Sequence, residues 1–217
     1  MTKKIFFIGM TWMLYSLTAY AGTMGDTRTP SSVSSLYIGA FGGYGIINGA
    51  YKQDGNFAQG MLTLGVRAVE YRHFSFGIEG GVQSGNNLRL YASPAIIETS
   101  GGLPIQGTLK PILDFLVTVK RPLPTYQPVS LILKGGIAYR QLQFADRTST
   151  QDTLSRVNGE FQGGLGYQIT DQAMLTAFYQ GIYSARNAGI NINSAEETIM
   201  SAIPTQQAGF LGVEYSF

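Results

Sequence analysis

Gln207-Ala-Gly-Phe-Leu-Gly-Val-Glu-Tyr-Ser-Phe217 closes the chain and alternates without a break. Gly209, Leu211, Val213, Tyr215 and Phe217 fall on one face; Ala208, Phe210, Gly212, Glu214 and Ser216 fall on the other. A period of two is the mark of a β-strand. This strand ends on an aromatic with no hydrophilic tail behind it, and in water such an edge invites pairing with other chains. Closing the sheet into a membrane barrel removes the edge.

The same alternation recurs upstream. In Leu36 to Ile46, Leu36, Ile38, Ala40 and Tyr44 oppose Tyr37, Gly39, Phe41 and Gly43. Met61 to Val69 sends Leu62, Leu64, Val66 and Ala68 outward, with Thr63, Gly65 and Arg67 inward. Phe74, Phe76, Ile78 and Val82 oppose Glu79, Gly81 and Gln83 in a third strand. Ile112 to Lys120 turns Leu113, Phe115, Val117 and Val119 out, and Asp114, Leu116, Thr118 and Lys120 in. Strands five to seven follow from Val129, Phe161 and Ala173, with Lys134, Gln162 and Gln180 inward. Proline is absent from these strand interiors, as ladder bonding requires.

The connections alternate in length. Asn48–Gln59, Ser84–Thr108, Gln141–Arg156 and Ser184–Gln206 are long and polar; those near Tyr71, Arg121–Pro128 and Thr170 are short. The expectation is an all-β, closed, antiparallel up-and-down transmembrane barrel of about eight strands, with long extracellular loops and short periplasmic turns. Ser84–Thr108 has room for a hairpin, which would raise the count to ten. A soluble lipocalin-like barrel or sandwich would hide its apolar face and show its charges. Here every mid-strand charge shares the glycine-rich face, so the pattern is inverted and favours lipid.

The first 21 residues read as a cleaved secretory signal: Lys3 and Lys4, an apolar run from Ile5 to Leu17, and Ala19-Tyr20-Ala21 for cleavage. That run is too short for a spanning helix. Residues 22–34 read as a flexible leader and 35–217 as the barrel domain. Losing Lys3 and Lys4 brings the 15 basic residues down to match the 13 acidic ones. Charge therefore gives no support to nucleic-acid binding. With no cysteine, disulfide scaffolds, thiolate metal sites and cysteine nucleophiles are excluded.

Leu36-Tyr-Ile-Gly-Ala-Phe-Gly-Gly-Tyr-Gly45, Phe74-Ser-Phe-Gly-Ile-Glu-Gly-Gly81, Leu133-Lys-Gly-Gly-Ile-Ala-Tyr139 and Gly212-Val-Glu-Tyr-Ser-Phe217, in that order, resemble the OmpA/OmpX-type family of small outer-membrane barrels. The resemblance covers Leu36 to Phe217 and implies residence in the cell outer membrane, among lipid and lipopolysaccharide. It also implies recognition by the barrel-assembly machinery through Gly212, Tyr215 and Phe217, although Phe210 stands where a polar residue is usual. The periplasmic peptidoglycan-binding domain of some members is not expected here.

Five inward charges stand out: Arg67, Glu79, Asp114, Lys134 and Glu214. A symmetric Arg121–Pro128 turn would set Asp114 opposite Lys134. Arg67 would lie diagonal to Glu79, and Glu214 would reach Arg67 over Gly39. The later strands, with Gly166, Thr176 and Phe178 inward, are expected to add no charge. Buried ions need partners, so the expected role is structural, with the interior filled and no open pore. The alternative is a narrow channel for small solutes or ions, in which pairs exchange. No catalytic residue, metal or cofactor is expected. A lipid A-modifying enzyme would need His and Ser together near the outer leaflet, and the sole histidine, His73, falls in a short turn. Glu196-Glu197 reads as a solvated surface. Apolar loop residues (Ala95-Ile-Ile97, Leu103-Pro-Ile105, Ile199-Met200 and Ala202-Ile203) suit either loop packing or a surface contact, through which a host or surface ligand could bind.

Overall fold

The computed structural model describes residues 35–51, 54–90, 98, 105–124, 128–144, 153–184, 190–192, 198–200 and 202–217. They form twelve strands: β1 (Ser35–Ile47), β2 (Asn56–Tyr71), β3 (Phe74–Gln83), β4 (Asn86–Leu90), β5 (Ile105–Leu109), β6 (Ile112–Pro122), β7 (Val129–Phe144), β8 (Thr153–Gln168), β9 (Ala173–Tyr183), β10 (Ile190–Ile192), β11 (Thr198–Met200) and β12 (Gln206–Ser216). Eight of them, β1, β2, β3, β6, β7, β8, β9 and β12, pair antiparallel in a ring, and β12 returns to β1. Among the described residues no helix is long and apolar enough to cross a membrane.

The tilt follows from the register. Step by step around the ring, Tyr37 lies opposite Gly65, then Glu79, Leu116, Gly136, Glu160, Ile182, Gln206 and finally Ile47. One circuit therefore advances ten residues along β1. With ~3.3 Å per residue and ~4.8 Å between strands, that stagger tilts the strands by about 41° and sets a barrel radius of about 8 Å. An interior this narrow is filled by side chains.

Exposure divides the two faces as the alternation requires. Leu64, Phe115 and Leu165 are each more than half exposed, while Lys134 and Glu79 are only 2% and 1% exposed. Polar interior and apolar exterior is the arrangement that a hydrocarbon surround stabilises, because a charge facing lipid is costly. Tyr44, Tyr71, Tyr167, Tyr183 and Phe217 also face outward, near strand ends. Such rings favour membrane interfaces. A bulge between Arg67 and Val69 interrupts the β2–β3 ladder, so Ala68, Val69 and Glu70 are exposed in succession.

The short connections gather at one end. β2 and β3 join through Arg72 and His73, with Arg72 in the left-handed region at φ 56°. β8 and β9 join through a turn in which Thr170 Oγ1 accepts from the amides of Gln172 and Ala173. At the opposite end the structure adds order that the sequence left as loop. Ser84–Thr108 was expected mainly as a connection; β4 and β5 within it pair with each other, and β5 also pairs with the end of β7. The ring nonetheless stays at eight strands. Gln141–Arg156 is likewise shorter as a loop than expected, because β7 runs to Phe144 and β8 begins at Thr153. At 16 residues each, these strands exceed the ~9–11 needed to cross a bilayer. β10 and β11 form a separate ribbon.

Candidate functional site

The lumen is built in levels. Near the short-turn end, Lys134 Nζ donates to both carboxylate oxygens of Glu79, at 2.7 and 2.9 Å. Tyr37 donates its hydroxyl to Glu79 Oε2 at 2.9 Å. Lys120 pairs with Glu214 Oε2, and Lys134 also lies 3.7 Å from Glu214 Oε1. Aromatic faces complete the cage. Lys120 Nζ is 4.6 Å from the Tyr37 ring centre, and Lys134 Nζ is 5.3 Å from that of Phe178. Such contacts help hold a cation away from water.

Three expected pairings are corrected by the register. Asp114 faces Ala138, and Lys134 faces Thr118, four residues farther along β6. The turn is not symmetric about Arg121–Pro128: β6 continues through Pro122, which pairs with Ser130, and Leu123 N–H bonds Val129 O at 2.8 Å. Its midpoint thereby moves toward β7, and Lys134 reaches Glu79 instead. Arg67 is diagonal to Glu79 in register but donates Nη2 to Ser216 Oγ at 2.9 Å. Among the described residues it forms no ion pair with Glu79 or Glu214. Glu214 does lie opposite Gly39, yet its partner is Lys120.

Above this cluster Phe41, Met61, Phe178, Ala208 and Phe210 make an apolar layer. Phe178 stacks on Phe210 and meets Phe41 edge-on, at centroid separations of 5.2 and 5.1 Å. Higher still, a relay of hydrogen bonds crosses the barrel. Gln83 donates to Asp114 Oδ2 (2.9 Å), Gln59 to Gln83 (2.9 Å), Gln206 to Gln59 (3.1 Å), and Arg140 to Gln206 (3.2 Å) and to Pro204 O (2.6 Å). Gly45 lets Gln59 and Gln206 meet across β1, since a Cβ there would sit 3.1 Å from Gln59 Oε1. The loop end is closed by an apolar cluster that includes Ile47, Phe57, Leu90, Leu142, Met200 and Ile203. Met200, Ala202 and Ile203, which the sequence left open to loop packing or surface contact, are buried.

Tyr37, Lys120, Arg140 and Glu160 belong to this interior and were missed as members of a charged network. Lys120 has the right parity but sits against the turn, and Tyr37 reads from sequence as bulk. Arg140 and Glu160 lie where the sequence suggests loop or a strand edge. Glu160 also overturns the expectation that the later strands are free of inward charge, because extending β8 back to Thr153 carries it inside.

Outside the lumen, a pocket of about 480 Å³ at the β4–β5 hairpin is lined by Asp54, Asn87, Arg89, Gln106 and Thr108, among others. Arg89 grips Asp54 with two nitrogens, Nη2 at 3.1 Å from Oδ1. That grip holds the Asp54 carboxyl below its ordinary range and raises the guanidinium. Thr108 Oγ1 donates to Asn87 Oδ1 at 2.8 Å. His73 is exposed in its turn. Glu196-Glu197, Ala95-Ile-Ile97, and Leu103 and Pro104 lie outside the described residues. Tyr215 and Phe217 face outward with rings 5.2 Å apart, while Gly212 packs against Phe41.

No protein-family model and no curated protein sequence matches the chain. Solved structures with a similar fold include Ail, the attachment invasion locus protein of Yersinia pestis, crystallised with the heparin analogue sucrose octasulfate. It is 18% identical, over 85% of this chain and 97% of that one, with a TM-score of 0.48. Neisserial surface protein A is 12% identical over 84% and 97%, with a TM-score of 0.49. A major outer membrane protein of Thermus thermophilus is 14% identical over 85% and 100%, also at 0.49. Similarity at this level says nothing of ligand or activity.

Proposed function

We propose that this chain is an exported, integral outer-membrane barrel of the OmpA/OmpX type, whose work is surface contact through its loop end. One observation carries the reading. Ion pairs, an aromatic layer and an apolar cap fill the interior, while the long-loop end is extended into the β4–β5 hairpin and the β10–β11 ribbon. A filled interior favours anchoring over transport, and order beyond the bilayer favours an exposed platform. Gly212, Tyr215 and Phe217 serve as the assembly signal in this reading, with lipid and lipopolysaccharide around the belt. The test replaces residues 86–109 with a short turn and compares adhesion of cells carrying equal amounts of folded barrel. Adhesion falls if the reading holds; unchanged adhesion of cells that adhered because of the intact protein refutes it.

One contact favours a second reading, a narrow conduit. Lys134 lies near Glu214 as well as Glu79, so one ammonium has two carboxylates to choose between. Planar-bilayer recording decides it. Conductance steps altered by Lys134→Ala support the conduit, and no conductance above background removes it.

A further inference from the structure

We infer that the middle of the lumen holds an alkali-metal cation, bound between Asp114 and Glu160 and completed by the side-chain oxygens of Gln162 and Gln180. The acceptors outnumber the donors there. Glu160 Oε1 receives Nε2 of Gln162 at 2.7 Å and Nε2 of Gln180 at 2.6 Å. Each amide thus spends a nitrogen on the carboxylate and keeps its own oxygen beside it. Among the described residues Gln162 Oε1, Gln180 Oε1, Glu160 Oε2 and Asp114 Oδ1 all meet no donor, although both glutamines are 0% exposed, Glu160 5% and Asp114 6%. Buried acceptors without a donor are destabilising, charged ones most of all.

Barrel geometry brings these groups to one level. With the strand tilt of about 41°, a step to the next strand climbs ~3 Å and a residue along a strand ~2.5 Å. Asp114 on β6 and Glu160 on β8 then lie within about 2 Å of the same height, with Gln180 beside them. Gly136, opposite Glu160 on the intervening β7, puts no side chain between them. Lys134 is bonded to Glu79 below, and Arg140 turns Nη1 to Pro204 O and Nη2 to Gln206 above, while its Nε meets no acceptor among the described residues. Among the described residues neither the Asp114 nor the Glu160 carboxylate forms an ion pair with a cationic side chain.

The chemistry selects the class of ion. Carboxylate and amide oxygens are hard ligands, unsuited to metals that prefer nitrogen or sulfur. Among the described residues no group of three or more His, Cys, Asp or Glu converges, so the charge density that holds a divalent ion tightly is lacking. The lumen as a whole also carries as many cationic as acidic side chains, counting Arg67, Lys120, Lys134 and Arg140 against Glu79, Asp114, Glu160 and Glu214. One added positive charge is the smallest disturbance that supplies the missing partner. Water alone would supply donors without the charge, and a proton shared by the two carboxylates would leave the amide oxygens of Gln162 and Gln180 without a partner.

The experiment is the thermal melting of the detergent-folded protein in NaCl, KCl or N-methylglucamine chloride at equal ionic strength, with ²³Na line width recorded on the same samples. The expected result is a melt several degrees higher in Na⁺ or K⁺, with sodium broadening that Glu160→Gln and Asp114→Asn remove and exposed Glu70→Gln retains. Identical melts in all three salts overturn the inference, as does broadening that survives both lumen substitutions. The salt comparison uses the unaltered chain, so a variant that fails to fold leaves it decisive.

Discussion

Removing the Lys134 ammonium is the sharpest probe of how the interior is wired. Lys134→Met keeps the length of the side chain but strips Glu79 of its two charged hydrogen bonds, at 2.7 and 2.9 Å. Glu79 keeps the Tyr37 hydroxyl, which softens the loss without neutralising the charge. Breaking a buried pair by removing one partner costs about 3–5 kcal/mol, and Glu79→Gln should cost less, because the Lys134 ammonium keeps Glu214 Oε1 at 3.7 Å. The double variant leaves neither charge unpaired, so it should be less destabilised than the sum by roughly 2–3 kcal/mol, within the range for residues in one network. Asp114→Asn combined with Lys134→Met should instead be additive to about 0.5 kcal/mol, since Asp114 faces Ala138 and takes its hydrogen bond from Gln83. Urea unfolding of the barrel in lipid vesicles, followed by circular dichroism or by the gel shift between folded and unfolded forms, measures all of these. A coupling of 2 kcal/mol between Asp114 and Lys134, with none between Glu79 and Lys134, would refute the register on which the account rests.

Other consequences concern the surfaces. Phe115→Arg, in the apolar belt, should cost about 2–4 kcal/mol in bilayer vesicles, whereas Asn87→Arg on the hairpin should be near neutral; equal effects would deny the belt. Gly65→Val pushes a side chain into the Tyr37 ring and should destabilise by about 1–3 kcal/mol through overpacking, read in the same unfolding assay. Asp54 is held below its ordinary range by Arg89, so its contribution is complete above the unfolded value near ~3.9 and fades as pH falls toward the lower folded value. Amide exchange in β4 should therefore quicken as pH drops below about 4 relative to the barrel strands, and Asp54→Asn should abolish that step. Because the chain has no cysteine, a membrane-impermeant maleimide on intact cells should label Asn87→Cys and spare His73→Cys; the reverse would invert the topology.

The sequence by itself determined the eight barrel strands in outline, their faces and the medium they face. Alternation is local, so Leu64, Phe115 and Leu165 declare an apolar outside and Glu79, Lys134 and Glu214 a charged inside without reference to any partner. Pairing is not local. Whether Lys134 meets Asp114 or Glu79 depends on where the Arg121–Pro128 turn has its midpoint, and parity carries no information about that. Nor did composition show that β7 and β8 continue past the polar residues near Arg140 and Glu160, because Gln141 and Arg156 read as the ends of a loop until a paired strand and the cluster around Leu142 and Leu154 hold them. The ten-residue stagger around the ring was likewise set only when all eight strands closed. That closure decides which residues share a height, and so brings Asp114, Glu160 and Gln180 to one level from three different strands.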